Sequence, residues 1–108
     1  MDAKKYHEWV GHTLDTPYEH TSRQDALTHF ALGLSGETGE VVEIIKKELY
    51  STCVREGFLK PPEEKIIGEL GDVLWYLTAL CNTYGFTLEE VMQHNYDKIV
   101  NRYGPKIK

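Results

Sequence analysis

The chain has 108 residues, 41% of them hydrophobic, and a net charge of −5. That length supports one domain with a single modest core, and chains this small often gain stability by associating. The acidic balance argues against a nucleic-acid backbone as the main partner and suits metal ions and cationic ligands better.

The longest uncharged apolar stretch, residues 73–81, is far short of a membrane span, and the N-terminus lacks the apolar segment of a secretory signal. The expectation is a soluble, cytoplasmic protein with no membrane or nucleic-acid partner. Cys53 and Cys81 form no C-x-x-C and point to neither a disulfide framework nor a zinc site.

In chain order, residues 3–13 read as a short first helix with Tyr6, Trp9 and Val10 on a partial apolar face. A turn-rich stretch follows around Thr16-Pro17. Ser22, with Asp25 three residues on, is an N-cap for a long second helix running to about Tyr50. The segment STCVREGFLK reads as a loop. Pro61-Pro62 followed by Glu63-Glu64 opens a third helix, because proline is tolerated in the first turn and acids suit its positive end. That helix should stop near Gly85. Thr87 and Glu90 form a capping box for a fourth helix, closed by Gly104-Pro105. No run alternates with period two for long enough to be a strand. The predicted fold is all-α, an antiparallel bundle of about four helices in one domain spanning 1–108.

Helical phase separates core from polar face. In the second helix Leu27, Ala31, Leu34, Val41, Ile45 and Leu49 share a stripe, with Glu37 and Glu40 to one side. In the third the stripe is Ile66, Leu70, Val73, Leu77, Leu80 and Tyr84, flanked by Glu69, Asp72 and Tyr76, with Trp75 facing outward on the opposite side. In the fourth, Met92, Tyr96, Ile99 and Tyr103 are apolar, and Asn95, Lys98 and Arg102 line a neighbouring face.

Register connects the two acidic faces. Glu40 and Glu69 lie at depths of roughly 15 Å and 12 Å from the loop joining their helices. Antiparallel packing then levels Glu40 with Glu69 and Glu37 with Asp72, so that four carboxylates meet. Ionised carboxylates crowded in a partly buried place are costly unless protons or cations compensate. A divalent cation removes that cost, and oxygen-only ligands favour Mg²⁺ or Mn²⁺. The Glu-x-x-His of di-iron bundles is absent. One such acidic pair alone would read as solvated surface charge, but two pairs in matching register favour a site. Each of the four acids directly follows a glycine, Gly36, Gly39, Gly68 or Gly71, which predicts close approach of a neighbour or ligand on that side of both helices.

GETGE at 36–40, GELGDVLWY at 68–76 and N-x-x-K-I-x-x-R from Asn95 to Arg102 together resemble the MazG-like all-α nucleoside triphosphate pyrophosphohydrolases, within a superfamily that takes in dCTP pyrophosphatase-like and dimeric dUTPase-like proteins. The resemblance covers about residues 22–104. The family pattern is E-E-x-x-E followed by E-x-x-D. Glu37, Glu40, Glu69 and Asp72 match it, and Gly36 replaces the first glutamate, as in the branch resembling dCTP pyrophosphatases.

The resemblance implies Mg²⁺-dependent hydrolysis of ribo- or deoxyribonucleoside triphosphates to monophosphate and pyrophosphate. It assigns Glu37, Glu40, Glu69 and Asp72 to the metal, with Glu37 or Glu40 also acting on the attacking water. Tyr76, Asn95, Lys98 and Arg102 would contact substrate, and the bundle would be completed as a homodimer or homotetramer. Two other readings are a phosphoribosyl-ATP pyrophosphohydrolase-like enzyme and a non-catalytic helical interaction module. The histidines form no ligand pattern.

Overall fold

The computed structural model describes residues 1–14, 22–51 and 63–104. Four helices account for almost all of them: α1 (Ala3–Thr13), α2 (Arg23–Tyr50), α3 (Glu63–Tyr84) and α4 (Leu88–Tyr103). The expected turn around Thr16-Pro17, the STCVREGFLK loop beyond Ser51, and Pro61, Pro62 and Pro105 lie outside the described residues.

The helix ends follow local chemistry. Asp2 caps α1 by accepting from the Lys5 N–H at 2.8 Å. Ser22 Oγ accepts from the Asp25 N–H at 3.1 Å and so starts α2. Thr87 Oγ1 accepts from the Glu90 N–H at 3.0 Å and lies 3.2 Å from Glu90 Oε1, holding the first turn of α4. Each side-chain oxygen satisfies an N–H that has no partner within its own helix. Gly104 ends α4 at a φ of 77°, a conformation costly for any residue with a Cβ.

α2 and α3 form the main antiparallel pair. Phe30 packs with Ala79, Gly33 lies beneath Tyr76, and Glu37 meets Asp72, so numbers fall along α3 as they rise along α2. α1 lies across one end of this pair. Its Val10 is fully buried with Phe30 and Ala79, and Tyr6, Leu14, Ala26, Trp75, Tyr76 and Leu80 pack around them. Thr78, the one buried polar residue among those described, donates its hydroxyl to the Leu74 carbonyl at 2.7 Å, so its burial leaves no polar atom unsatisfied. The N–H of Asn82 Nδ2 reaches the His7 carbonyl at 3.4 Å and ties α1 to α3.

α4 docks on α1 and α3 and makes no close approach to α2 among the described residues. The imidazole of His7 takes part in that docking: Nδ1 accepts from the Leu88 N–H at 3.3 Å, in the first turn of α4.

The apolar stripes are only partly covered. Leu70 is 51% exposed, Ile67 72%, Leu49 57% and Met92 55%, although each belongs to an apolar face or borders one. α3 thus has more apolar surface than α1 and α2 bury. Among the described residues no helix is long and apolar enough to cross a membrane.

Candidate metal centre

Glu37 on α2 and Glu69 and Asp72 on α3 point into one place. Each offers a carboxylate oxygen, and these oxygens all lie within 4.8 Å of one another. Glu37 and Glu69 are half-buried, while Asp72 opens to solvent. The convergence follows from the antiparallel register, since Glu69 and Asp72 are one turn apart and face the turn that carries Glu37.

The electrostatics record the crowding. The Glu37 carboxyl is held above its ordinary range, first by a hydrogen bond with the Glu69 carboxyl, then by burial, and then by the charges of Asp72, Glu69 and Glu40. Two carboxyls can share a hydrogen bond only if one holds a proton, which is why Glu37 resists ionisation. Among the described residues Glu69 Oε2 is buried and has no hydrogen-bond partner. A buried carboxylate oxygen left so is expensive. A hard divalent cation, which takes oxygen ligands, answers both features: it supplies the partner that Glu69 lacks and the charge that Glu37 obtains otherwise from a proton. The three residues therefore fit such an ion.

Glu40 stands apart from the trio. It is exposed and lies outside the set of oxygens within 4.8 Å, although close enough for its charge to act on Glu37. Three residues along a helix turn through about 300°, so Glu40 is rotated by some 60° out of the direction in which Glu37 points. The four-way meeting expected from depth alone is thus a three-way meeting with a fourth acid at its rim.

Beside the acids is a shallow cavity of about 220 Å³, lined by Glu37, Asp72, Trp75 and Tyr76. Tyr76 follows Asp72 by one turn, which places its ring on the same side of α3. Trp75 corrects an expectation: it does not face outward. Its ring meets Tyr76 at 5.1 Å and Phe30 at 6.0 Å, both edge to face, and its Nε1–H donates to Thr13 Oγ1 at 3.2 Å. The second packed surface of α3 is covered by α1. Periodicity within α3 carries no trace of that contact; the partial apolar face of α1 was the available signal. Tyr6, also on α1, has its hydroxyl pKa raised, mainly by burial and further by the negative charge of Asp72, so α1 also borders the acidic groove.

The glycines correct a second expectation. Among the described residues, a Cβ added at Gly36, Gly39, Gly68 or Gly71 would meet nothing within 4 Å. The neighbour half of that expectation is thus not met among the described residues, and its ligand half belongs to the groove itself. Crowding occurs one turn earlier, at Gly33.

The polar residues of α4 are gathered elsewhere. Asn95 and Lys98 line a cleft of about 440 Å³ with Phe86, Glu90, Val91 and His94. The guanidinium of Arg102 sits 5.9 Å from the ring of its neighbour Tyr103. The cavity beside the acids is lined by none of these three residues.

The model of the MazG nucleotide pyrophosphohydrolase domain matches residues 26–106. This chain belongs to that family. The matched span takes in all three converging carboxylates and the whole of α4, and leaves α1 outside. A relative of the MazG chain is the Gene 37 protein of Mycobacterium phage L5, 33% identical over 79 residues, which are 72% of this chain and 67% of the phage protein. No solved structure matches the chain. Membership identifies the protein at the level of its family, described as a nucleotide pyrophosphohydrolase domain.

Proposed function

We propose that this chain hydrolyses nucleoside triphosphates, ribo- or deoxyribo-, to the monophosphate and pyrophosphate, using Mg²⁺, with Mn²⁺ as a substitute. The observation that carries this reading is the convergence of Glu37, Glu69 and Asp72 around a buried carboxylate oxygen that has no partner. A cation held there supplies charge neutralisation of the triphosphate, polarisation at phosphorus and acidification of a bound water.

The residues divide the remaining work. Glu37, Glu69 and Asp72 fix the ion, and Glu40 joins them at the rim. Glu37 and Glu40 are the two groups for the attacking water: Glu37 orients it from within the cluster, and Glu40, exposed beside it, accepts its proton. Tyr76 forms one wall of the groove against the sugar or a phosphate. Asn95 donates a hydrogen bond, and Lys98 and Arg102 offset phosphate charge.

α4 packs on α1 and α3 rather than on α2, which supports a reading in which those last three residues serve the groove of another copy. The working unit is accordingly a homodimer or homotetramer of single-domain chains, which also covers the apolar faces around Leu70 and Leu49. A cytoplasmic enzyme that clears or adjusts nucleotide pools is consistent with this chemistry.

A substrate panel tests the reading. Ribo- and deoxyribonucleoside triphosphates and phosphoribosyl-ATP are incubated with Mg²⁺, and pyrophosphate is scored against orthophosphate. Pyrophosphate from one or more nucleoside triphosphates is expected. Orthophosphate as the sole direct product would reject the reaction, and turnover confined to phosphoribosyl-ATP would move the assignment to that relative.

A further inference from the structure

Of the five glycines in α2 and α3, Gly33 alone is crowded. A Cβ placed there would fall on Tyr76 Cε1, with Cδ1 and Cζ both 2.5 Å away. These are atoms of a planar ring, with no flexible end to swing aside. The ring is also held from other directions, by Trp75 at 5.1 Å and by His29 at 6.3 Å. Gly33 is therefore the one glycine of the two helices at which a side chain of α3 lies on the backbone of α2.

That point lies one helical turn from the acids. Glu37 follows Gly33 by four residues and Tyr76 follows Asp72 by four, so the Gly33–Tyr76 contact and the carboxylate cluster are adjacent rungs of one ladder. Cores transmit small displacements because they are close-packed. Metal ligation is less tolerant still, with distances held to within about 0.2 Å. A methyl group at residue 33 must either turn the Tyr76 ring, which lines one cavity with Glu37 and Asp72, into that groove, or part the two helices and so displace Glu37 relative to Glu69 and Asp72.

We propose that Gly33 is a positioning residue for the carboxylate cluster: its missing Cβ lets the Tyr76 ring lie on α2, and this contact sets the spacing at which Glu37 meets Glu69 and Asp72. The inference rests on the reading of those three acids as metal ligands. It opposes the simplest expectation for the position, because alanine in place of an interior helical glycine ordinarily favours the helix by about 1 kcal/mol.

The test is Mn²⁺ binding to the full chain, followed by electron paramagnetic resonance, for the wild type, Gly33→Ala, Tyr76→Ala and the double variant. Gly33→Ala should bind Mn²⁺ about tenfold more weakly with unchanged helical content. In the double variant, where the ring is gone, affinity should return to within about twofold of Tyr76→Ala alone, although turnover stays impaired by the lost tyrosine. Gly33→Ala with wild-type Mn²⁺ affinity overturns the proposal, as does a double variant that binds about tenfold more weakly than Tyr76→Ala alone. Should Gly33→Ala fail to fold, recovery of folding in the double variant supports the contact and continued unfolding overturns it. A wild type that binds no Mn²⁺ overturns the metal reading and this inference together, whereas failure of the variants alone leaves that reading standing.

Discussion

Glu37 carries the electrostatic cost of the acidic groove, and the direction of its shift sets a pH dependence. Its carboxyl holds its proton to higher pH in the folded chain than in the unfolded one, owing first to the hydrogen bond with Glu69. The associated stabilisation is fully present below the ordinary carboxylate pKa and is lost as pH rises through the raised value. Without divalent cations, Glu37→Gln should therefore gain on the wild type by a few degrees in thermal midpoint as pH rises from the acid range to neutrality. Thermal unfolding in a chelator across that range checks this, and parallel pH profiles for the two proteins would contradict it. Added Mg²⁺ should reverse the order at neutral pH by stabilising the wild type only. At Gly36, open space surrounds the missing side chain and the backbone is helical. Gly36→Ala should raise stability by about 0.5–1 kcal/mol in denaturant titration, through lost freedom of the unfolded chain.

Among the elements, α2 and α3 supply the carboxylate cluster while α1 closes the core behind it. Phe30 is 1% exposed and touches both partners of α2, so Phe30→Ala should cost about 3–5 kcal/mol in urea titration and loosen α1. Much of this level is legible in the sequence because it is local. Ser22 and Thr87 act as caps through side chains three residues from the N–H they accept, and Gly104 stops α4 through its own φ. The acidic pairs were legible as faces for the same reason, since i, i+3 spacing is a property of a single helix.

What was not legible depends on packing between helices. Glu40 shares a face with Glu37 in the sequence, yet a rotation of some 60° leaves it at the rim. Trp75 looks outward in the periodicity of α3 and is instead received by Thr13 on α1. The glycines beside the acids signalled crowding that, among the described residues, is present only one turn earlier, where Tyr76 crosses Gly33.

At the scale of the whole molecule, the proposed reaction brings the cations of α4 to the acidic groove of another copy. Trans-completion gives a quantitative expectation. Asp72→Asn and Lys98→Ala should each be nearly inactive alone. Mixed and reassembled at equal amounts as dimers, they should regain about a quarter of wild-type turnover, because half the dimers are mixed and each of those contains one intact site. No recovery on mixing would place both groups in one chain's site.

The membership in a pyrophosphohydrolase family, the converging oxygens and the orphaned Glu69 Oε2 all bear on one claim, that the Glu37–Glu69–Asp72 cluster holds the ion that drives turnover. Its most direct measurement is Mg²⁺-dependent release of pyrophosphate by Glu37→Gln and Asp72→Asn beside the wild type, with helical content followed by circular dichroism. The account predicts a loss of about 100-fold or more in kcat for both variants with the fold intact; full activity in both, at unchanged Mg²⁺ dependence, would contradict it.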